Sequence, residues 1–145
     1  MHLVSKFFDE LTTRELYELL KARAEIFVVE QNCVYQDLDD QDYNGLHVFY
    51  EENGKILAYL RAFPKSNSDQ VVQMGRFLTI THGLGHGGKL LKEGLQQIID
   101  KMHPKEIFIH AQCYATGFYE KAGFQICSEE FLEDDIPHVE MRLRL

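Results

Sequence analysis

Four glycines, Gly83, Gly85, Gly87 and Gly88, fall within the run Thr81-His82-Gly83-Leu84-Gly85-His86-Gly87-Gly88-Lys89-Leu90-Leu91. Upstream, Gln73–Ile80 reads as a strand. Downstream, Leu90, Leu91, Leu95, Ile98, Ile99 and Met102 recur at helical spacing. Glycines crowded at the start of a helix bare its first backbone N–H groups, which have no carbonyl one turn earlier to bond. Those donors, with the positive end of the helix dipole, make a seat for a phosphate. Further along comes Phe118-Tyr119-Glu120-Lys121-Ala122-Gly123-Phe124, a short helix-like segment carrying a tyrosine. A phosphate cradle followed at this distance by a tyrosine narrows the chemistry more than either feature alone.

The glycine run has rival readings. Gly83-x-Gly85-x-x-Gly88 also satisfies the dinucleotide fingerprint, but that fingerprint belongs to a first βα unit with an acidic residue about twenty positions on, at the end of a second strand. Here the loop comes late, and the strand-like Ile107–Gln112 ends without an acid. A P-loop needs Ser or Thr after its lysine, and Lys89 is followed by Leu90. A plain glycine turn with no ligand is the remaining alternative, disfavoured because glycines so dense do not otherwise suit a helix start.

Other clusters carry weaker signals. His82 and His86 have the i,i+4 spacing of metal ligands, but the glycines between them argue against a helical pair, and no metal is expected. The acidic run Asp37, Asp39, Asp40 and Asp42 is not a calcium loop: Asp42 stands where glycine is required and Val48 where glutamate is. A solvated loop and a negative rim that attracts a protonated amine both fit it. Cys33, Cys113 and Cys127 are odd in number and widely spaced, as reduced thiols are.

The elements that must position these residues follow from periodicity. Residues 2–8 read as a strand. Thr12 and Glu15 form a capping box for a helix with Leu16, Leu19, Leu20, Ile26 and Phe27 on one face, fraying into a loop at Phe27–Asn32. Residues 33–45 are a polar loop. Leu46–Glu51 and Lys55–Phe63 flank Asn53-Gly54, a hairpin signal. Pro64–Asp69 is a turn, Val71–Ile80 a strand, and the helix after the glycines ends at His103-Pro104. Glu106–Gln112 is a strand, Ala115–Ala122 a short helix with Gly123 as its C-cap, and Phe124–Phe131 with His138–Leu143 a closing antiparallel pair. Strand, helix, strand over Val71–Gln112 implies one parallel pair, and the hairpins make the sheet mixed.

The 145 residues suit one domain spanning 1–145, with 45% hydrophobic and 26% charged residues. A net charge of −8 argues against nucleic acid and anionic membrane as partners and favours a cationic substrate. No apolar run approaches a membrane span, and the N-terminus lacks a signal-peptide core, so a cytoplasmic location is expected.

Two groups of motifs carry a resemblance. His82-Gly83-Leu84-Gly85-His86-Gly87 is similar to the Gln/Arg-x-x-Gly-x-Gly/Ala loop of the GCN5-related N-acetyltransferase (GNAT) superfamily, with His82 in place of the usual Gln or Arg. Ala115–Phe124 is similar to its alanine–tyrosine–glycine–phenylalanine signature, with Gln112 where asparagine is common. Phe27–Cys33, Tyr35–Asp39 and Ile136-Pro137-His138 resemble the ElaA-like branch over nearly the whole chain.

The resemblance implies an α/β GNAT fold, with a mixed, mostly antiparallel, splayed sheet flanked by helices. It implies acetyl transfer from acetyl-CoA to a primary amine by direct attack in a ternary complex. The CoA pyrophosphate would sit on the N–H groups of Gly83, Leu84, Gly85, His86, Gly87 and Gly88, with Lys89 and Leu90 close behind. The pantetheine would pair like an added strand along Phe77, Leu78 and Thr79, and the Leu78 N–H would hold the oxyanion. Tyr119 would protonate the departing thiolate, since a thiol near ~8.5 and a phenol near ~10 make that transfer feasible. Candidates to receive the amine proton are Glu30, His47, His110 and His138, with Glu30 put forward as catalytic. Glu30, Gln31, His110 and His138 are expected at the acceptor site. The acceptor is a small-molecule or peptide amine, and a homodimer is compatible with the chain. A non-catalytic acyl-CoA-sensing module with the same fold is the alternative.

Overall fold

The computed structural model describes residues 1–68 and 70–145. Asp69, the last residue of the expected turn Pro64–Asp69, lies outside the described residues. The elements run β1 (His2–Phe7), α1 (Thr13–Arg23), β2 (Leu46–Glu52), β3 (Lys55–Pro64), β4 (Val71–Thr79), α2 (His86–Met102), β5 (Glu106–Gln112), α3 (Thr116–Glu120), β6 (Gln125–Ile126), β7 (Phe131–Glu133) and β8 (Ile136–Arg144). The capping box forms as the sequence requires: Thr12 Oγ1 accepts the Glu15 N–H at 3.0 Å, and Glu15 Oε1 accepts the Thr12 N–H at 2.8 Å.

The sheet has the order β1-β2-β3-β4-β5-β8-β6, with β7 also on β8. Every pairing is antiparallel except β4 with β5, the two strands joined through α2. Alternate residues of β2 and β3 feed two cores. Leu46, Val48, Leu60 and Ala62 face Leu90, Leu91, Leu95 and Ile98 of α2. On the opposite face Phe49, Tyr59 and Leu78 pack against Leu19, Ala22 and Ile26. Gly94 lets α2 approach closely: a Cβ there would lie 2.6 Å from Leu60 Cδ2.

β4 and β5 part early. They pair only over Val71–Gln73 with Glu106–Phe108, yet β4 continues to Thr79 and β5 to Gln112. A bulge bends β4 away at this point. Tyr59 pairs with Leu78 and Arg61 with Gly75, which leaves Arg76 and Phe77 opposite Leu60 alone. Arg76 takes a left-handed backbone, φ 50°.

Two sequence expectations change. Residues beyond Arg23 do not fray: Ala24–Glu30 continue as a π-helix, and the Cys33 N–H still reaches Val28 O at 3.1 Å. Wider turns let the β-branched run stay hydrogen-bonded. The closing strand Phe124–Phe131 divides into β6 and β7, because at Ser128 a side chain replaces the backbone partner: the Glu140 N–H donates to Ser128 Oγ at 2.8 Å.

Replacing Gly94 with Val forces extra methyl groups into Leu60, which is fully buried. We expect a loss of about 2 kcal/mol or more in urea unfolding, within or above the range for an overpacked core, with the m-value unchanged.

Candidate active site

A cleft of about 770 Å³ opens where β4 and β5 diverge. Eight of the residues expected at the site line it: Phe77, Leu78 and Thr79 from β4, Glu30 and Gln31 from the π-helix and its end, His110 from β5, Tyr119 from α3, and His138 from β8.

The glycine turn stands apart from this lining, exposed at the end of β4. Gly83 and Gly85 have φ of 84° and 76°, a backbone that side-chain-bearing residues rarely adopt. The turn folds back over β4, since a Cβ on Gly87 would lie 3.5 Å from Thr79 Cγ2. The Lys89 N–H bonds Gly85 O at 3.3 Å, so the donors left over by helix geometry are those before it. Leu90 is fully buried, its side chain committed to the core. His82 reaches from the turn toward the π-helix: Nδ1 is 3.4 Å from Thr79 Oγ1, and Nε2 is 3.4 Å from Glu30 Oε1.

Tyr119 is held by aromatic edges. Its ring centroid lies 6.4 Å from that of Phe77, 5.2 Å from Phe118 and 5.8 Å from Phe124, each at a steep angle. Burial, with a contribution from Tyr114, pushes its phenol up to about 12. It therefore keeps its proton at any working pH.

The acidic run is only partly a solvated loop: Asp39 and Asp40 are exposed, but Asp37 and Asp42 are buried, and Asp37, Asp39 and Asp42 are paired with arginines. Arg23, with no exposed surface, donates from Nε to Asp37 Oδ2 at 2.9 Å and from Nη1 to Asp42 Oδ1 at 2.5 Å. Arg61 holds Asp39 through two bonds of 2.8 Å and reaches Asp42 at 3.1 Å. Arg76, at the bulge, sets Nε 3.0 Å from Asp37 and Nη2 3.3 Å from Asp39. Burial would raise the carboxyls of Asp39 and Asp42, but the bonds from Arg61 and Arg23 override it and hold both below their usual range. Three guanidinium charges cancel three of the four carboxylates, with Asp40 left exposed, so most of the field this loop could cast on a substrate is spent internally.

His47 leaves the list of candidate bases. It is fully buried and does not line the cleft. Its Nε2–H donates to Asp42 O at 3.0 Å, so Nδ1 accepts from the Tyr59 hydroxyl at 2.7 Å. Burial lowers its pKa and keeps it neutral.

The cleft wall formed by β5, β7 and β8 carries a cluster that local sequence did not suggest. Glu133 Oε1 accepts from His110 Nδ1 at 2.9 Å, and Glu133 Oε2 lies 3.5 Å from His138 Nε2. The hydrogen bond from His110 is the main cause that lowers the Glu133 carboxyl and raises the His110 imidazole. Neither Glu133 nor the three arginines had a sequence signal, because their partners are brought to them by tertiary contacts rather than by local spacing. Among the described residues, no three His, Cys, Asp or Glu side chains come together as a metal-holding group, and no helix is long and apolar enough to cross a membrane.

Residues 12–145 match the acetyltransferase (GNAT) domain family. A UPF0039 protein of Schizosaccharomyces pombe is 37% identical over 149 residues, covering 100% of this chain and 98% of that protein. ElaA of Escherichia coli is 34% identical over 92% of this chain and 90% of its own length. Its crystal structure superimposes with a TM-score of 0.91, covering 99% of this chain and 100% of the other. An acyl-CoA N-acyltransferase from Pseudomonas aeruginosa gives a TM-score of 0.91 at 34% identity, covering 99% of both chains. The chain belongs to the GNAT acetyltransferase-domain family. Acyl transfer is accordingly the class of chemistry that its family supports.

Two measurements check this account of the charges. Arg23→Met removes the buried partner that Asp37 and Asp42 share, leaving Asp37 to Arg76 and Asp42 to Arg61, and should cost about 3 kcal/mol in equilibrium unfolding, the low end of the penalty for breaking a buried pair from one side. Histidine NMR titration should place His110 above 6.5 and His47 below it. The sign for stability follows: His47 neutral in the fold contributes fully above 6.5, and that contribution fades as pH falls below 6.5.

Proposed function

We propose that the protein transfers an acetyl group from acetyl-CoA to a primary amine, with the thioester and the amine bound together in the cleft. The observation that carries this reading is the early parting of β4 from β5, which leaves the rest of β4 unpaired on that side up to the glycine turn. An extended amide-bearing arm needs an unpaired strand edge, and β4 offers one along Phe77–Thr79. A diphosphate needs unpaired N–H donors at one end of that edge, and residues 83 to 88 offer them. The arm length then runs back from the turn along β4 toward the bulge at Arg76, and Tyr119 lines the same gap.

In this reading the amine nitrogen attacks the thioester carbonyl, and the Leu78 N–H stabilises the oxyanion. The intermediate collapses with the electron pair of the C–S bond going to sulfur. Tyr119 donates its proton there. Burial raises this phenol and would raise a thiol held beside it in the same direction, since it disfavours both anions. The acceptor is cationic before reaction. Arg61 and Arg76 line the cleft with their charges already paired, whereas Glu30, Glu133 and Asp134 add negative charge to its wall. Glu30, half exposed on the π-helix, holds the incoming ammonium at the mouth.

Calorimetry with CoA and thiol release from acetyl-CoA with a panel of amines test this. Tyr119→Phe should lower kcat by about 100-fold, as loss of a general acid does, and leave CoA affinity within twofold. Full turnover in that variant would remove Tyr119 as the acid. CoA binding without turnover of any amine would instead favour an acyl-CoA sensor.

A further inference from the structure

We propose that His110 is the base that takes the acceptor's proton, and that Glu133, backed by His138, positions it. The inference rests on the acyl-transfer reading and assigns the step which that reading leaves without an owner. Three observations carry it.

The first is the tautomer. A carboxylate only accepts, so the 2.9 Å contact with Glu133 Oε1 puts the His110 proton on Nδ1. The Nε2 lone pair is then left free, and among the described residues it has no protein partner. Phe108 and Phe131 stand edge-on to the ring, each with centroids 5.3 Å away, and fix its plane. This is the arrangement of a base held by a carboxylate behind it.

The second is position. His110 stands two residues beyond Phe108, the last residue of β5 that pairs with β4. A cofactor arm that starts at the glycine turn and follows β4 back points its tip toward this fork, and His110 lines the same cleft as Leu78 and Tyr119. Glu30, in contrast, sits on the π-helix with its carboxylate toward His82, at the end of the cleft near the turn.

The third is an unfilled partner. His138 Nδ1 must donate to Ile136 O, 2.7 Å away. A neutral His138 therefore turns its Nε2 lone pair toward Glu133 Oε2 at 3.5 Å. Two acceptors face each other with no donor between them, which is where a donor such as an ammonium N–H fits.

The groups that face His110 are Glu133 on β7, Glu140 and His138 on β8, and Lys65 after β3. The Glu133 bond outweighs burial and raises the imidazole, bringing the base toward neutral pH, where general-base catalysis works best. The step balances as follows. The ammonium gives one proton to His110 Nε2, and the freed nitrogen pair forms the C–N bond. The C–S pair goes to sulfur, which takes the Tyr119 proton. The second amine proton returns to the Tyr119 oxygen through water, and His110 releases its proton to solvent. One amide, one free thiol and one proton result.

The test uses the full chain, acetyl-CoA, and a panel of spermidine, benzylamine and a peptide with a free N-terminus. Taking the amine that turns over best, His110→Ala should lower kcat by about 100-fold, with CoA affinity by calorimetry unchanged and partial rescue by added imidazole. Glu133→Gln should move the acidic limb of kcat/KM to lower pH, because the imidazole loses the carboxylate that raises its pKa. Glu30→Gln should raise KM for the amine and leave that limb in place. An unmoved limb in Glu133→Gln, or kcat within twofold of wild type in His110→Ala, overturns this assignment alone. No acylation of any amine by the wild type overturns the acyl-transfer reading beneath it.

Discussion

The divergence of two parallel strands is the constraint on which the site depends. β4 and β5 stay together for three residue pairs and then separate, and each is prevented from closing by its other neighbour. On one side β4 is drawn along β3 through the bulge at Arg76. On the other, β5 keeps seven paired residues with β8. A strand edge left open in a sheet normally invites aggregation. Here the edge faces an interior cleft between flanking elements, where an extended ligand can use it.

The arginine–aspartate lattice stabilises the same bend from outside the sheet. Arg76 departs from β4 at a strained backbone angle, and its guanidinium is anchored by Asp37 and Asp39 in the loop after the π-helix. Arg23 ties that loop to the end of α1, and Arg61 ties it to β3. One network thus sets the bulge, the loop and the helix end together. Such a buried network is a weak source of net stability but a strong source of geometry, because any single unpaired member would be costly. Cancellation within the lattice also means that the negative charge the cleft offers a cation comes from Glu30, Glu133 and Asp134 instead.

Legibility differed by feature. Glycine density at a helix start, the Asn53-Gly54 hairpin and the capping box at Thr12 are local signals, and each element formed where its residues pointed. The π-helix was missed because β-branched residues look the same in a fraying end and in a widened helix. The split of the last strand hung on one hydroxyl, that of Ser128, taking a backbone N–H. The ion pairs of Asp37, Asp39 and Asp42 were not legible because their three arginine partners are distant in the chain. His47 resembled any other histidine until its burial against Tyr59 was visible.

What the sequence determined by itself was the fold class, the main run of strands and helices and the place of the glycine turn, because each of these is written in consecutive residues. Which side chains share the cleft was decided by tertiary structure. His110, Glu133 and His138 meet because β8 pairs with both β5 and β7. Register between strands far apart in sequence is set by packing over the whole sheet, and no local pattern encodes it.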